Sequence, residues 1–218
     1  MLLRNAGLLL ITAAVLFWLS WLLMPGVGVT DAAQIFELVA HKRWSVMLSV
    51  ITQLLSAALY VPALLGISWG MLQISNAGRW GIGLLLLGAT GSAIDAVFHL
   101  VAYAMTMPGL EPSSLLKVMA FLQGPGLRLV APFILGFFMG GVFLSIALAK
   151  SGAVSKASAY MYPLALGIAV LGGAAASAGI LPSRIVGLSV LAAVSVSQAC
   201  IGFELYGNHR QAAFAVNG

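Results

Sequence analysis

Six stretches of this chain stay apolar long enough to cross a lipid bilayer, roughly 6–24, 45–72, 80–106, 127–149, 159–180 and 185–205. About 20 mostly apolar residues carry a helix across about 30 Å of hydrocarbon, where unpaired backbone groups find no water. A barrel would alternate polar and apolar residues along short strands, and none of the six runs does. The expected fold is therefore all-α: a polytopic membrane protein, a six-transmembrane-helix bundle with two short interfacial helices, forming one domain over residues 1–218. Composition agrees, with 61% hydrophobic and only 7% charged residues and a mean hydropathy of +1.08. An ordinary soluble domain is about half apolar and about a quarter charged. This balance excludes a soluble enzyme, and the formal charge of +5 implies no nucleic-acid partner, because the cations sit at the ends of apolar runs. A lone Cys200 excludes a disulfide scaffold.

The first run reads as a span rather than a signal peptide. It is long, it carries Trp18 and Trp21 near one end, and no small-x-small cleavage site follows Pro25. After the turn at 25–29, Thr30 or Asp31 is placed to cap a short helix over 32–43, with Gln34, Glu37 and His41 on one face. A second short helix is expected over 113–122, opened by Pro112 and closed by Gly124-Pro125-Gly126. Both should lie in the membrane interface. With the N-terminus inside, Arg4, Arg79, Lys150, Lys156 and Arg210 are cytoplasmic, and Lys42, Arg43, Lys117, Arg128 and Arg184 are outside. That is a tie on the positive-inside rule, broken only by the acids Asp31, Glu37 and Glu111 on the outer side. Both termini are thus expected in the cytoplasm, in the inner membrane of the cell. No matching residues support an inverted repeat of two three-helix halves.

Small residues four apart let helices touch where lipid removes the hydrophobic drive. Rows of this kind are Ala165, Ala169, Gly173 and Ser177 in the fifth run and Gly136 and Gly140 in the fourth. The third has Gly88, Ser92 and Ala96. Close contact of the fourth and fifth spans is expected. Pro62 and Pro163 should kink their helices, with Ser56 or Thr52 available to the freed carbonyls.

The sharpest chemistry lies in the third span, where Asp95, His99 and Tyr103 share one helix face. A carboxylate inside a span costs a few kcal/mol by insertion scales, so it must face protein, water or a counter-ion. Asp95 and His99 at i, i+4 are expected to bond each other and, in an enzyme, to be the catalytic pair. Gln53 falls at comparable depth and Arg128 heads the fourth span; with Tyr103 they are candidate neighbours in a ligand pocket opening outward. A second acid–histidine pair, Glu37 and His41, has the same spacing. Glu37, His41, Asp95 and His99 together would make an adequate shell for zinc or non-haem iron, so a divalent metal is the one cofactor these residues suggest. Haem and retinal are disfavoured, the first by missing facing ligands and the second by a lack of mid-span lysine. Gln198 is a further polar residue within a span, while Glu204, His209 and Arg210 read as boundary charge. Trp18, Trp21, Trp44, Trp69 and Trp80 read as an aromatic belt. Walker, nucleophile-elbow and zincin motifs are absent.

The layout, with Lys150-Ser151-Gly152-Ala153-Val154 leading into the fifth span, resembles an uncharacterised group of bacterial six-helix membrane proteins known as a domain of unknown function. The resemblance implies the fold and transfers no site residue. Three functions compete. The first is a non-catalytic membrane subunit or a binding protein for a lipid, quinone, isoprenoid or pigment. The second is a membrane enzyme using Asp95 and His99 on a lipid-soluble substrate. The third is a proton-coupled or small-molecule transporter, which would need broken helices. The partners expected are the bilayer and other membrane subunits or a second copy.

Overall fold

A computed structural model describes residues 2–71, 74–109 and 111–216, with side chains except those of 112, 113 and 208–216. Leu72, the expected end of the second span, and the His209 and Arg210 side chains fall outside the described residues. The elements are α1 Leu2–Leu23, α2 Ala32–His41, α3 Arg43–Gly70, α4 Asn76–Met105, α5 Pro112–Phe121, α6 Leu127–Lys150, α7 Lys156–Ser177 and α8 Ser183–Val216. No strand occurs among the described residues. Among the described residues six helices are long and apolar enough to cross a membrane, as a multi-pass helical bundle requires.

The helices alternate in direction. At one end of the bundle, the Ser45 hydroxyl donates to the Leu23 carbonyl, Arg43 to Thr106, and Arg184 to the Pro25 carbonyl. At the other end Gly7 meets Gly202, Gly66 meets Ala6, and Glu204 accepts from Ser155. We call these the vestibule end and the terminal end. Glu204 is more than boundary charge: it accepts from the Ser155 amide at 2.5 Å, from its hydroxyl at 2.7 Å, and from Ser158. That places a carboxylate at the N-terminus of α7, where unpaired amides favour it.

A close glycine seam joins α4 and α6. A Cβ on Gly140 would lie 2.6 Å from the Leu85 nitrogen and 2.8 Å from the Gly81 carbonyl oxygen, so only hydrogen fits there. The expected union of the fourth and fifth spans is narrower than the small-residue rows suggest. Gly141 abuts the Tyr162 ring and Ala165 is buried, but Gly173 has nothing within 4 Å and Ser177 is exposed. Periodicity alone does not say which face of a small-residue helix is covered, and here α7 leaves that end of its row uncovered.

Two further expectations need correction. Gly124-Pro125-Gly126 does not close the helix before it: a π-helical turn over Leu122–Gly126 runs α5 directly into α6, and the apolar span extends over Ser114–Lys150. Ser56 and Thr52 do not serve Pro62 either. Ser56 donates to the Ala13 carbonyl of α1 at 2.7 Å and Thr52 to the Leu48 carbonyl at 2.8 Å. The Lys150–Val154 stretch is a helix stop. Gly152 takes φ +74°, the Ala153 amide bonds the Leu148 carbonyl at 3.0 Å, and Val154 is buried, as in a Schellman ending.

Candidate functional site

Gln53 follows the start of α3 at Arg43 by as many residues as Asp95 precedes the end of α4 at Met105, about 15 Å at 1.5 Å per residue. Antiparallel helices at matched depth bring the two side chains together. The Gln53 amide nitrogen donates to Asp95 Oδ2 at 2.8 Å, and Gln53 Oε1 faces His99 Nδ1 at 3.3 Å. Asp95 and His99 themselves stand 3.9 Å apart, too far for the direct bond their spacing suggests. Gln53 bridges them. Because an amide oxygen only accepts, the bridge requires the proton on Nδ1 and runs in one direction, His99 to Gln53 to Asp95.

Gln53 is 1% exposed, and the Asp95 and His99 side chains are 13% and 12% exposed. The Trp21 ring stands edge-on to His99 at 5.9 Å between centroids. Asp95 occupies the junction of two cavities. An inner chamber of about 190 Å³ lies among Phe17, Trp21, Phe137, Phe138, Ile134 and Leu191, with Gln53, Ser92 and Asp95 at its edge. A vestibule of about 260 Å³ is lined by Trp21, Asp95, Phe98, His99, the Gly28–Thr30 turn, Ile35 of α2, and Met119, Leu122, Gln123 and Leu127 around the π turn.

The other candidate residues lie elsewhere. Tyr103 packs under the Arg43 guanidinium, 4.2 Å from ring centroid to Cζ, and lines neither chamber among the described residues. Arg128 is exposed and has no partner among the described residues. Glu37 and His41 are exposed, and His41 Nδ1 engages the Glu37 backbone carbonyl at 2.8 Å rather than a carboxylate. Among the described residues no three His, Cys, Asp or Glu side chains gather as a metal site, so Glu37 and His41 do not join Asp95 and His99 in one. The α2 helix covers the vestibule with Ile35 instead.

Several site residues were not legible as such. Trp21 read as belt aromatic, yet it walls both chambers, and its indole nitrogen is buried without a partner among the described residues. By contrast Trp44, Trp69 and Trp80 are 82%, 65% and 69% exposed, as a belt requires. Phe17 and Phe137 are 5.0 Å apart and form the chamber floor, beyond which Tyr60 donates to Gln198. The signal for that floor was the polar row Gln53, Ser56, Tyr60 at i, i+3, i+7, all buried on one face of α3.

Compared with protein-family models, with curated proteins and with solved structures, the chain matches none.

Proposed function

We propose that this chain is a non-catalytic integral membrane protein that holds a small hydrophobic or amphipathic molecule of lipid, quinone, isoprenoid or pigment type. The observation that carries this reading is Asp95 standing where an apolar chamber of about 190 Å³ meets a more polar vestibule of about 260 Å³. A cavity of about 150 Å³ lined by aliphatic and aromatic side chains stays dry and admits benzene. The inner chamber is therefore ring-sized, and the vestibule takes the polar remainder of the ligand. Together they fall within the roughly 300–1,000 Å³ usual for ligand sites, apolar walls with a few convergent polar groups.

In this reading α2 and α5 lie along the outer membrane interface, both termini are cytoplasmic, and the protein resides in the inner membrane with lipid as its immediate partner. The amphipathic split of α2, with Ile35 and Val39 buried and Glu37 and His41 exposed, favours that placement. The test is mass spectrometry of small molecules retained by protein purified from its native membrane, set beside Leu191→Phe, which fills the inner chamber. A stoichiometric molecule lost in the variant, with helix content unchanged, supports the proposal. No retained molecule, or one retained equally by the variant, refutes it.

A further inference from the structure

The hydrogen-bond direction within the site specifies what the ligand's polar end must be. We infer that the site takes a hydrogen-bond-donating cation, a primary or secondary ammonium carried on a ring-sized hydrophobic body. This inference rests on the ligand-binding reading above and deepens it.

Gln53 spends both ends of its amide inside the protein, its nitrogen on Asp95 Oδ2 and its oxygen on His99 Nδ1. In the Nδ1–H tautomer that this bond selects, His99 has an acceptor lone pair at Nε2. Asp95 Oδ1 and His99 Nε2 have no hydrogen bond to a described residue. The triad therefore presents two acceptors to the chambers, and its one uncommitted donor is the second N–H of the neutral Gln53 amide. A carbonyl, carboxylate or phosphate head would meet only uncharged donors of the lining, such as the Trp21 indole N–H and the Ser92 hydroxyl, whereas an ammonium N–H meets both acceptors.

Charge points the same way. Among the described residues Asp95 is the sole carboxylate lining either chamber, and no lysine or arginine lines them. The nearest candidates are spent or remote: Arg43 is held by the Thr106 carbonyl and hydroxyl at 2.6 Å each, and Arg128 is exposed outside the lining. An anionic head would face the Asp95 carboxylate with no lysine or arginine beside it, while a cation supplies the fixed counter-charge that Asp95, with only His99 at 3.9 Å, otherwise lacks. The vestibule also carries the rings of Trp21 and Phe98, walls that attract cations and not anions. The inner chamber then receives the apolar body past Asp95 and against the floor of Phe17 and Phe137.

Three naphthalene probes of equal size separate the alternatives: 1-naphthylmethylamine, 1-naphthylmethanol and 1-naphthoate, titrated against purified full-length protein and Asp95→Asn by competition binding. The amine is expected to bind at least about tenfold tighter than the other two, a margin set by a charge-assisted hydrogen bond. Asp95→Asn should erase that margin. Equal binding of all three, a preference for the alcohol or the naphthoate, or an amine preference that survives Asp95→Asn overturns the ammonium and leaves the hydrophobic-ligand reading standing. Binding of none, by protein whose thermal transition is intact, overturns both. If Asp95→Asn does not fold, the N,N,N-trimethyl derivative of the amine, titrated against the unaltered protein, serves in its place: it keeps the charge and lacks the N–H, so it must bind at least about tenfold more weakly than the amine, and equal binding overturns the proposal.

Discussion

The α4–α6 seam gives the most direct test of how this bundle is held. Gly140→Ala would put a methyl group 2.6 Å from the Leu85 nitrogen and 2.8 Å from the Gly81 oxygen, where ordinary contact begins at 3.4 Å. Closing the difference between 2.6 and 3.4 Å requires the helices to part locally by 0.8 Å. Both obstacles are backbone atoms and cannot swing aside as a side-chain tip would. Separation would also loosen the neighbouring contacts, because Gly81 stands against Leu144 and Gly88 against Phe137 on the same seam. Overpacking of this kind costs about 1–3 kcal/mol. On the soluble-protein scale of roughly 2–4 °C per kcal/mol for a chain of this size, the middle of that range lowers the melting temperature by roughly 4–8 °C. Gly173→Leu is the control. Nothing lies within 4 Å of its Cβ direction, so the larger substitution should stay within about 0.5 kcal/mol of wild type. Thermal unfolding of the two variants in detergent, followed by circular dichroism, decides the matter. A Gly140→Ala protein that melts with wild type, or a Gly173→Leu protein that falls as far, would refute this account of the packing.

Two other perturbations have defined outcomes. Arg43→Ala removes both bonds that tie the start of α3 to Thr106 at the end of α4 and should cost about 1.5–3 kcal/mol, with Arg43→Lys recovering part of it; chemical denaturation in mixed micelles reads the loss. Tyr60→Phe removes the Tyr60 hydroxyl from Gln198, only 4% exposed, whose amide nitrogen already has no partner among the described residues; a destabilisation of about 1–3 kcal/mol is expected, and a variant as stable as wild type would mean that the neighbouring Tyr162 hydroxyl takes over the Gln198 oxygen.

The spans were legible because hydrophobic length is a property of each segment alone, as were Asp95, His99 and Gln53, whose depths can be counted from their helix ends. What could not be counted was rotation. Glu37 and His41 have the spacing of the Asp95–His99 pair, yet α2 turns Ile35 and Val39 inward and leaves both polar residues outside. The fifth span's small-residue row is regular, but only its first part is covered by α6. Trp21 has the composition of a belt residue and the position of a wall, a distinction set by α4 and α6 rather than by α1. Reading Asp95 and His99 as bonded to each other followed from helix spacing, whereas the third partner comes from another helix and changes the hydrogen-bond direction on which ligand choice turns.

The π turn is the one break in helical regularity at the site, and Pro125 accounts for it. In an uninterrupted α-helix the nitrogen of residue 125 would donate to the Phe121 carbonyl; proline has no N–H, and its ring collides with that oxygen. Widening the helix over Leu122–Gly126 passes the carbonyl to the next amide, since a π turn bonds i to i+5. Gly126 does stand against it, a Cβ there lying 3.2 Å from the Phe121 oxygen. The inserted residue rotates α5 relative to α6 by about 100°, one residue's share of a 3.6-residue turn. That rotation is what brings Met119, Leu122 and Gln123 to the vestibule wall together with Leu127. Pro125→Ala restores the missing donor and lets the helix run straight from α5 into α6. Stability should then hold or rise, because a helix breaker has gone, while the vestibule loses its wall and ligand affinity falls. Spin labels at Ala33 on α2 and Ser114 on α5, both exposed, would report the rotation as a changed distance in pulsed electron resonance. If the distance and the binding of the naphthalene probes are both unchanged in Pro125→Ala, the turn is dictated by the packing of α5 on α2 and not by the proline.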